Sequence, residues 1–371
     1  MCDAYGIVNF ESANVHVKGM GEYRPVSAFS YLGRYRLVDF PLSNMSNSGI
    51  DQIKVLVKSN PRSLVEHLGN GRQYNLNSKR GRLQIIPAIS SEGVDVNNTD
   101  ICAMRSILEL LEAMPQEYVI IAPPNMVYRQ DLNQLLQQHQ ASGADISVLY
   151  QNVDNAKSAY LNCDVLRLNR QKGVLSIDRN RGNAKNRSIS LETYVMRNTL
   201  LITLIKRAAN TSMMYWLRDV VSEASEEYDV QGIAHRGYLA CINDFDSYYH
   251  ANMDLLDYSK GDDLLHQSWP FYTRTNDSCP TQYGDEVMVN ESIVSNGCKI
   301  RGTVEKSVIG RGVVVEEGAV VRGCVILPGV YIGKGVHVEN AVVDKKARII
   351  HRKEILGMPE HPLYVRRRDQ I

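Results

Sequence analysis

The strongest constraint on the fold of this chain is a six-residue repeat near its end. Aliphatic side chains recur at every sixth position, with glycines between them: Val308, Val314, Val320, Ile326, Ile332 and Val338. This period with glycine turns is typical of a parallel β-helix, whose coils stack on one another. Antiparallel strands joined by glycine turns would instead give two-residue alternation and irregular turn spacing. The repeat therefore predicts a β-helix.

Two details of the repeat give narrower expectations. Val294 and Ile300 share the six-residue spacing but are out of phase with the later positions, so we expect an insertion in the early coils. His337 is the only histidine that lies within the repeats. Acyltransferases that use such repeats need a catalytic histidine and an extended loop, and we expect His337 to be an outward-facing side chain instead.

Short apolar runs alternate with helix-like segments in the first two-thirds of the chain. The predicted strands are Tyr5–Phe10, Gln52–Val57, Leu83–Ile86, Tyr118–Ala122 and Asp145–Tyr150, and the predicted helices are Pro61–Leu68, Ala103–Met114 and Leu132–His139. Such alternation favours a mostly parallel α/β sheet with helices on its faces. Ligands of these sheets sit at the carboxyl ends of the strands, so chemistry is expected in the loops after Phe10 and Ala122.

Charge and cysteine content exclude several functions. Lys and Arg number 42 against 41 Asp and Glu, so no global field would hold nucleic acid or an anionic membrane. No apolar run is long enough to span a bilayer, and the first residues lack the basic start of a secretory signal. The seven cysteines form no metal-binding pattern, and free thiols in a reducing cytoplasm are expected.

Several segments carry a resemblance to a known family. They are GRYRLVDFPLSNMSNSGI at Gly33–Ile50, YYHANMDLL at Tyr248–Leu256 and PTQYG at Pro280–Gly284. With the repeat, they resemble ADP-glucose pyrophosphorylase (glucose-1-phosphate adenylyltransferase), which makes ADP-glucose from ATP and glucose 1-phosphate for bacterial glycogen. The nearest likeness is to its GlgD-type, non-catalytic branch, whose subunits pair with a catalytic partner.

The resemblance implies two domains joined by a linker. We expect a Rossmann-like nucleotidyltransferase α/β domain over residues 1–255, a linker over 256–283, and a left-handed parallel β-helix of hexapeptide repeats over 284–371.

The phosphate-binding loop of that family is not recognisable. Catalytic members follow the first strand with a loop of the form Gly-Gly-x-Gly-x-Arg-Leu, whose glycines let backbone amides approach the nucleotide phosphates. In this chain the strand leads into Glu11-Ser12-Ala13-Asn14-Val15-His16, with no glycine before Gly19. A carboxylate would face the phosphates, so we expect an ordinary surface connection.

Two metal-binding aspartates of the family are also replaced. Asn125 occupies the position of the first, and Cys241 that of the second. The segment Val174–Asn180 stands where the family has its Glu-Lys-Pro sugar-phosphate motif. Magnesium prefers hard oxygen ligands, mainly carboxylates and phosphates, and an amide or a thiol is a poor substitute. We therefore expect no catalytic residues, no resident metal, and weak or lost binding of Mg²⁺ and ATP.

Some positive charge is retained near the start of the chain. The resemblance places Arg24 at a family lysine that helps to bind phosphates. Arg34 and Arg36 add two further cations, which could contact an anionic effector or serve as structural ion-pair partners.

These departures predict a regulatory, catalytically impaired subunit. It would assemble with a catalytic ADP-glucose pyrophosphorylase subunit into a hetero-tetramer, or form a homo-oligomer by itself. The alternative is an active nucleotidyltransferase with a remodelled metal site that uses Asp100, Asp131 or Asp244. Asp131 also precedes a predicted helix, where a capping role is expected.

Overall fold

A computed structural model describes residues 2–12, 14–58, 60–76, 79, 81–87, 99–211 and 216–371. Among these residues, no helix combines the length and the apolar character that crossing a membrane requires.

The first part of the chain alternates strands and helices. The strands are β1 (Ala4–Val8), β2 (Ser30–Tyr31), β3 (Tyr35–Arg36), β4 (Gln52–Val57), β5 (Arg82–Pro87), β6 (Tyr118–Ala122), β7 (Met126–Tyr128), β8 (Ile146–Val153), β9 (Asp164–Leu168), β10 (Val174–Arg179), β11 (Arg187–Arg197), β12 (Val230–Ala234) and β13 (Leu239–Cys241). The helices are α1 (Asp39–Asn47), α2 (Arg62–Leu68), α3 (Asp100–Ser106), α4 (Leu108–Glu112), α5 (Leu132–Ser142), α6 (Asn198–Thr211), α7 (Leu217–Ala224), α8 (Phe245–Asp254) and α9 (Tyr258–Leu264).

A nine-stranded sheet organises this part. Its order is β10-β9-β11-β6-β1-β4-β5, and β8 pairs with both β11 and β12. Strand β1 is parallel to β4 and β6, and β4 is parallel to β5, whereas β11 runs antiparallel to β6 and β8. The Rossmann-like α/β class is confirmed. Because β1, β4 and β6 end at the same edge, the residues that follow them share one side of the sheet.

Apolar side chains of β1 pack on both faces of the sheet. Ala4 and Val8 belong to one buried cluster, and Tyr5 and Ile7 to the cluster on the other face. A strand covered on both sides needs a continuous apolar run, which explains why its sequence shows no polar alternation.

One predicted helix is interrupted. The sequence favoured a single helix over Ala103–Met114, but α3 ends at Ser106 and α4 begins at Leu108. The Ser106 hydroxyl donates to the carbonyl oxygen of Ala103 at 2.7 Å. Such a side-chain bond competes with the helical backbone ladder, and it accompanies the break at Ile107.

The second part of the chain is a left-handed β-helix with three parallel five-stranded sheets. Its strands are β14 (Gln282–Tyr283), β15 (Met288–Asn290), β16 (Ile293–Val294), β17 (Lys299–Ile300), β18 (Thr303–Glu305), β19 (Val308–Ile309), β20 (Val314–Val315), β21 (Val320–Arg322), β22 (Val325–Ile326), β23 (Tyr331–Ile332), β24 (His337–Glu339), β25 (Ala341–Val343), β26 (Arg348–Ile349), β27 (Glu354–Leu356) and β28 (Leu363–Val365).

The spacing of the coils corrects one expectation. Val294 pairs with Ile309, 15 residues later, whereas Ile309 pairs with Ile326, 17 residues later. The early coil is therefore shorter than the later ones, and the predicted insertion is wrong. Because the spacing is not a strict six, the interior positions shift along the chain. Val315 and Val321 fill the β-helix core, while Val314 and Val320 are only partly buried.

The two ends of the β-helix differ. At the last coil, the backbone N–H groups of Arg348 and Ile350 donate to the carbonyl oxygens of Asp369 and Ile371 at 2.7 and 2.6 Å, so residues 366–371 cover β26, while β27 and β28 remain edge strands. At the first coil, β14, β15 and β16 are edge strands of their sheets. Tyr283 and Met288 are exposed there, at 56% and 57%.

The β-helix packs against α8. Val325 and Val342 share a buried cluster with Tyr248 and Tyr249, and the Tyr249 hydroxyl donates to the carbonyl oxygen of Gly323 at 2.7 Å. Gly33 has a φ of 67°, and a Cβ atom there would lie 2.7 Å from the carbonyl oxygen of Ile309. This close approach requires glycine and fixes how the two parts fit.

Candidate functional site

Asn125 lies at the centre of the strand-end region. It follows β6, directly precedes β7, and is fully buried. Its Nδ2 donates to Oδ1 of Asn243 at 3.1 Å, and its backbone oxygen accepts from the N–H of Ile242 at 2.8 Å. Its Oδ1 atom has no hydrogen-bond partner among the described residues. The position is thus neutral and linked to a second amide.

Cys241, at the end of β13, joins the same network. Its Sγ lies 3.3 Å from Oδ1 of Asn243 and 2.9 Å from Sγ of Cys163. The hydrogen bond with Cys163, followed by burial, raises the pKa of Cys241 well above its ordinary value, so it stays a thiol at neutral pH. The structure therefore brings Asn125 and Cys241 together through Asn243.

This set of donors does not fit a magnesium ion. The network offers two amides and two cysteine sulfurs, whereas Mg²⁺ is usually held by carboxylates and phosphate oxygens in octahedral geometry. Within the described parts of the chain, no group of three or more His, Cys, Asp or Glu side chains could hold a metal.

The loop after β1 turns inward. Phe10 packs edge-on against Trp216, with ring centroids 6.1 Å apart. Burial raises the pKa of Glu11, whose Oε2 has no hydrogen-bond partner in the described structure. The N–H of Val15 donates to the oxygen of Ser12 at 3.1 Å, while Ala13 lies outside the described residues. An enclosed carboxyl group at this point is unfavourable for a nearby phosphate.

The three aspartates of the alternative metal site occupy separate structural positions. Asp131 caps α5, accepting from the N–H groups of Asn133 and Gln134 at 2.9 and 3.0 Å. Asp244 caps α8 through Ser247 at 2.8 Å. Asp100 begins α3 and accepts from the N–H of Leu217 at 2.9 Å. Each carboxylate is engaged by backbone donors of a helix start, and the expected capping role of Asp131 is confirmed.

The Val174–Asn180 segment forms β10 and the turn after it. Asn180 is buried, and its Nδ2 donates to the oxygens of Ala156 and Tyr160 at 2.8 and 2.9 Å. Asn180 thereby holds the segment between β8 and β9 in place, which is a structural role.

Sequence reasoning missed a half-buried acid near this region. Glu192 lies in β11 with a φ of 46°, at a shift in the register with β8. Burial, with the neighbouring Asp164 carboxylate next, raises the pKa of Glu192 to about 8. Arg218 neutralises Asp164 through a 2.8 Å contact. The sequence of β11 gives no local sign that Glu192 has a raised pKa. The left-handed backbone at this residue depends on how β11 pairs with β8, which the sequence does not show.

A second candidate site is a basic cleft of about 560 Å³ between the α/β part and the β-helix. Eight cationic side chains line it against one acidic side chain, Glu66. The cations are Arg24, Arg34, Arg36, Arg274, Arg311, Lys345, Lys346 and Arg367. We call this site the basic cleft. It contains all three arginines that the sequence had singled out.

Those three arginines are held in different ways. Arg24 is buried and forms a 2.7 Å ion pair with Asp344 of the β-helix. Arg36 donates to the carbonyl oxygen of Ser63 at 2.9 Å. Arg34 is exposed, with its guanidinium 5.5 Å from the centroid of the Tyr35 ring. Arg24 is therefore an ion-pair partner, and Arg34 presents its charge to the cleft opening.

The cleft has an excess of cations that are poorly compensated. Burial, together with Arg36 and Arg24, holds the pKa of Lys345 well below its ordinary value. Burial also lowers the pKa of Arg36 and of Arg311. The Nε atoms of Arg24, Arg311 and Arg367 are buried without a hydrogen-bond partner among the described residues. A bound anion would supply both the missing charge and the missing acceptors.

The other five cations of the cleft were not found from the sequence. Arg274 precedes the β-helix, and Arg311, Lys345, Lys346 and Arg367 belong to it. They are distant in sequence from Arg24 and Arg36, and no local motif joins them. Only the docking of the two parts brings them together.

Two family models match the chain. One is the nucleotidyl transferase family, over residues 20–164, and the other is the GlmU-like C-terminal hexapeptide family, over residues 278–361. The first part of the chain is therefore similar to nucleotidyl transferases, and the last part to GlmU-like hexapeptide domains.

Curated relatives make the comparison more specific. The glucose-1-phosphate adenylyltransferase of Bacillus mycoides (strain KBAB4) is 28% identical over 323 residues, which cover 86% of this chain and 85% of the relative. The glucose-1-phosphate adenylyltransferase of Fervidobacterium nodosum is 27% identical over 353 residues, which cover 94% of this chain and 84% of the relative. The chain is similar to these glucose-1-phosphate adenylyltransferases over most of its length, and the resemblance seen in its motifs is confirmed.

Proposed function

We propose that the chain is a regulatory, catalytically impaired subunit of an ADP-glucose pyrophosphorylase. That enzyme converts ATP and glucose 1-phosphate to ADP-glucose and diphosphate for glycogen synthesis. The chain acts by assembling with a catalytic subunit of the same fold, as a hetero-tetramer in the cytoplasm. It changes the partner's turnover or its response to effectors.

The neutral network of Asn125, Asn243, Cys241 and Cys163 carries this proposal. Nucleotidyl transfer depends on neutralising the phosphates, and a metal ion supplies several kcal/mol of that stabilisation. Each ~1.4 kcal/mol lost slows the reaction tenfold. Two amides, the Cys163 sulfur and the Cys241 thiol with its raised pKa provide no carboxylate to hold the ion. The chain by itself is therefore expected to turn over roughly a thousandfold more slowly than a catalytic relative.

The first coil of the β-helix supports assembly. Its edge strands carry exposed apolar side chains, including Tyr283, Met288 and Val289. Unpaired strand edges with apolar side chains readily add a further strand or sheet. We propose that this first-coil surface contacts another subunit.

Mixing purified subunits tests the function. ADP-glucose synthesis is measured for the catalytic subunit of the same organism alone, for this chain alone, and for the mixture. We expect a low rate for this chain, and a changed rate or effector dependence for the mixture. An unchanged partner, or a high rate for this chain alone with Mg²⁺, would overturn the proposal.

A pair of variants tests the contact surface. Met288→Asp places a charge on the first-coil surface, and Leu175→Asp places one at an exposed apolar position on β10. We expect Met288→Asp to elute from a sizing column as a smaller species in the mixture, with Leu175→Asp eluting like the unmodified chain. Equal elution of both variants would place the contact elsewhere.

We further propose that the basic cleft binds an anionic effector, such as a sugar phosphate or a nucleotide. Calorimetric titration of the isolated chain with inorganic diphosphate and with ATP tests this. Arg311→Ala or Lys346→Ala should weaken binding about tenfold, because a hydrogen bond to a charged group is worth ~1.5–3 kcal/mol. Arg170→Ala, at an exposed position outside the cleft, serves as control. Binding that is absent, or equally strong in all variants, would contradict the cleft assignment.

A further inference from the structure

The thiols of Cys163 and Cys241 face each other next to the end of β13. Their Sγ atoms lie 2.9 Å apart, and the residues are only 1% and 8% exposed. A disulfide bond needs Sγ atoms about 2.05 Å apart, so bonding requires a small side-chain shift. We propose that Cys163 and Cys241 form a reversible intramolecular disulfide, which makes this chain responsive to thiol–disulfide exchange.

The other buried cysteines are arranged differently. The thiols of Cys298 and Cys324, both in the β-helix, donate to the carbonyl oxygens of Gly310 and Arg322 at 3.1 Å each. A buried thiol in this protein thus normally faces a backbone acceptor. Contact between two thiols distinguishes Cys163 and Cys241 from them.

The contact joins two separate elements. Cys163 ends the segment between β8 and β9, and Cys241 ends β13, 78 residues away. The Tyr160 hydroxyl donates to the oxygen of Leu239 at 2.9 Å, and Nδ2 of Asn243 donates to the oxygen of Leu161 at 3.2 Å. Hydrogen bonds and apolar packing therefore hold the segment against β13 in the reduced protein. The disulfide adds a covalent link at the same place.

A cleft gives an oxidant access to Cys241. Cys241 lines a cleft of about 430 Å³, together with Tyr160, Asn243 and Asp254. A small organic disulfide, such as oxidised glutathione, is the chemical class of oxidant that fits thiol exchange.

The exchange proceeds in two balanced steps. Cys241 loses its proton, and its sulfur attacks the organic disulfide; the S–S bond of the oxidant breaks, and one thiolate leaves and takes up a proton. Cys163 then loses its proton and attacks Sγ of Cys241, which releases the second thiol. The two cysteines are oxidised by two electrons, and the organic disulfide is reduced to two thiols. The raised pKa of Cys241 makes the first step slow, so the pair responds to sustained oxidation rather than to brief exposure.

Peptide mapping of the folded, isolated chain tests the proposal. The protein is incubated with oxidised glutathione, free thiols are alkylated, and digested peptides are analysed by mass spectrometry. We expect a Cys163–Cys241 cross-linked peptide, no alkylation of these two cysteines, a higher midpoint of thermal unfolding, and reversal of all three by dithiothreitol. The exposed Cys279 reports that the oxidant has reacted.

Variants separate this pair from other thiols. Cys163→Ala and Cys241→Ala should each remove the cross-linked peptide and the oxidant-dependent rise in midpoint, and Cys324→Ala should retain both. If the oxidant modifies Cys279 while Cys163 and Cys241 stay reduced, the proposal is overturned. A cross-link that forms only in urea would also overturn it, because the folded protein would then not form the disulfide. Mapping of the unmodified chain decides the matter even if a variant fails to fold. Because no catalytic partner is present, a negative result leaves the proposed regulatory function unaffected.

Discussion

At the scale of single residues, the network at the strand ends is neutral, whereas an ionisable acid lies in β11 of the nine-stranded sheet. Asn125 and Cys241 are neutral, whereas Glu192 is an acid enclosed beside Asp164. An enclosed acid next to a like charge favours its protonated form. Glu192 therefore binds a proton at a pH where an exposed glutamate has lost it.

Glu192→Gln tests this protonation. A carboxyl group whose pKa is raised on folding stabilises the protein fully below its unfolded pKa and loses that contribution as the pH rises to the folded value. The pKa of Glu192 is raised to about 8 by burial and by Asp164, with Asp100 also unfavourable and Arg218 opposing the shift. Relative to Glu192→Gln, the free energy of unfolding of the unmodified protein should fall by up to ~1.4 kcal/mol per pH unit between about pH 5 and pH 8.

Urea unfolding at several pH values measures the difference. Glu226→Gln, at an exposed position, serves as the control and should show no comparable pH-dependent gain. Parallel pH curves for the unmodified protein and Glu192→Gln would show that Glu192 is ionised throughout.

At the scale of elements, acidic residues near the strand ends begin helices. Asp131 and Asp244 each accept hydrogen bonds from backbone N–H groups of the first helical turn. Unpaired donors at a helix start need such acceptors. These caps orient α5 and α8, and α8 carries the tyrosines that hold the β-helix.

Asp131→Ala should remove the cap of α5. The expected loss is about 1 kcal/mol of unfolding free energy, which is typical of a lost N-cap side chain. Denaturant unfolding followed by circular dichroism measures it, with Asp154→Ala at an exposed position as control. A loss no larger than that of the control would show that the cap contributes little.

Gly302→Ala should destabilise the β-helix. A Cβ atom at this position would collide with the carbonyl oxygen of Ala319 and lie 2.8 Å from that of Glu316 in the next coil. The expected cost is ~1–3 kcal/mol, since the backbone must shift to relieve the overlap. Gly284→Ala is a suitable control, because its Cβ would meet no atom closer than 3.5 Å. Equal unfolding midpoints for the two variants would contradict this packing.

At the scale of the whole molecule, the sequence predicts each part better than their junction. Periodicity correctly located strands such as Gln52–Val57 and Tyr118–Ala122, and it identified the β-helix. The six-residue pattern wrongly predicted an insertion in the early coils. The pattern reports only the spacing of aliphatic residues, whereas the pairing of the strands decides which residues face the interior. Periodicity could not join Arg36 with Lys345, or Cys163 with Cys241, because such neighbours are set by packing between distant segments.

The ion pair between Arg24 and Asp344 ties the two parts together. Their side chains are 3% and 0% exposed, and the Tyr364 hydroxyl also donates to Asp344 at 2.8 Å. Asp344→Asn leaves Arg24 buried without its counter-charge, which should cost ~3–5 kcal/mol. Thermal unfolding should show a large drop in midpoint, whereas Glu66→Gln, which breaks the exposed Arg62–Glu66 pair, should change it little. A small drop for Asp344→Asn would mean that solvent reaches Arg24.

The unequal ends of the coil column bear on how β-helices can stack. Residues 366–371 cover β26, whereas β27 and β28, like the three strands of the first coil, are edge strands in the described structure. A neighbouring chain could therefore continue two of the three sheets at this end but not the sheet that ends in β26. Stacking of whole β-helices end to end is obstructed on that one face.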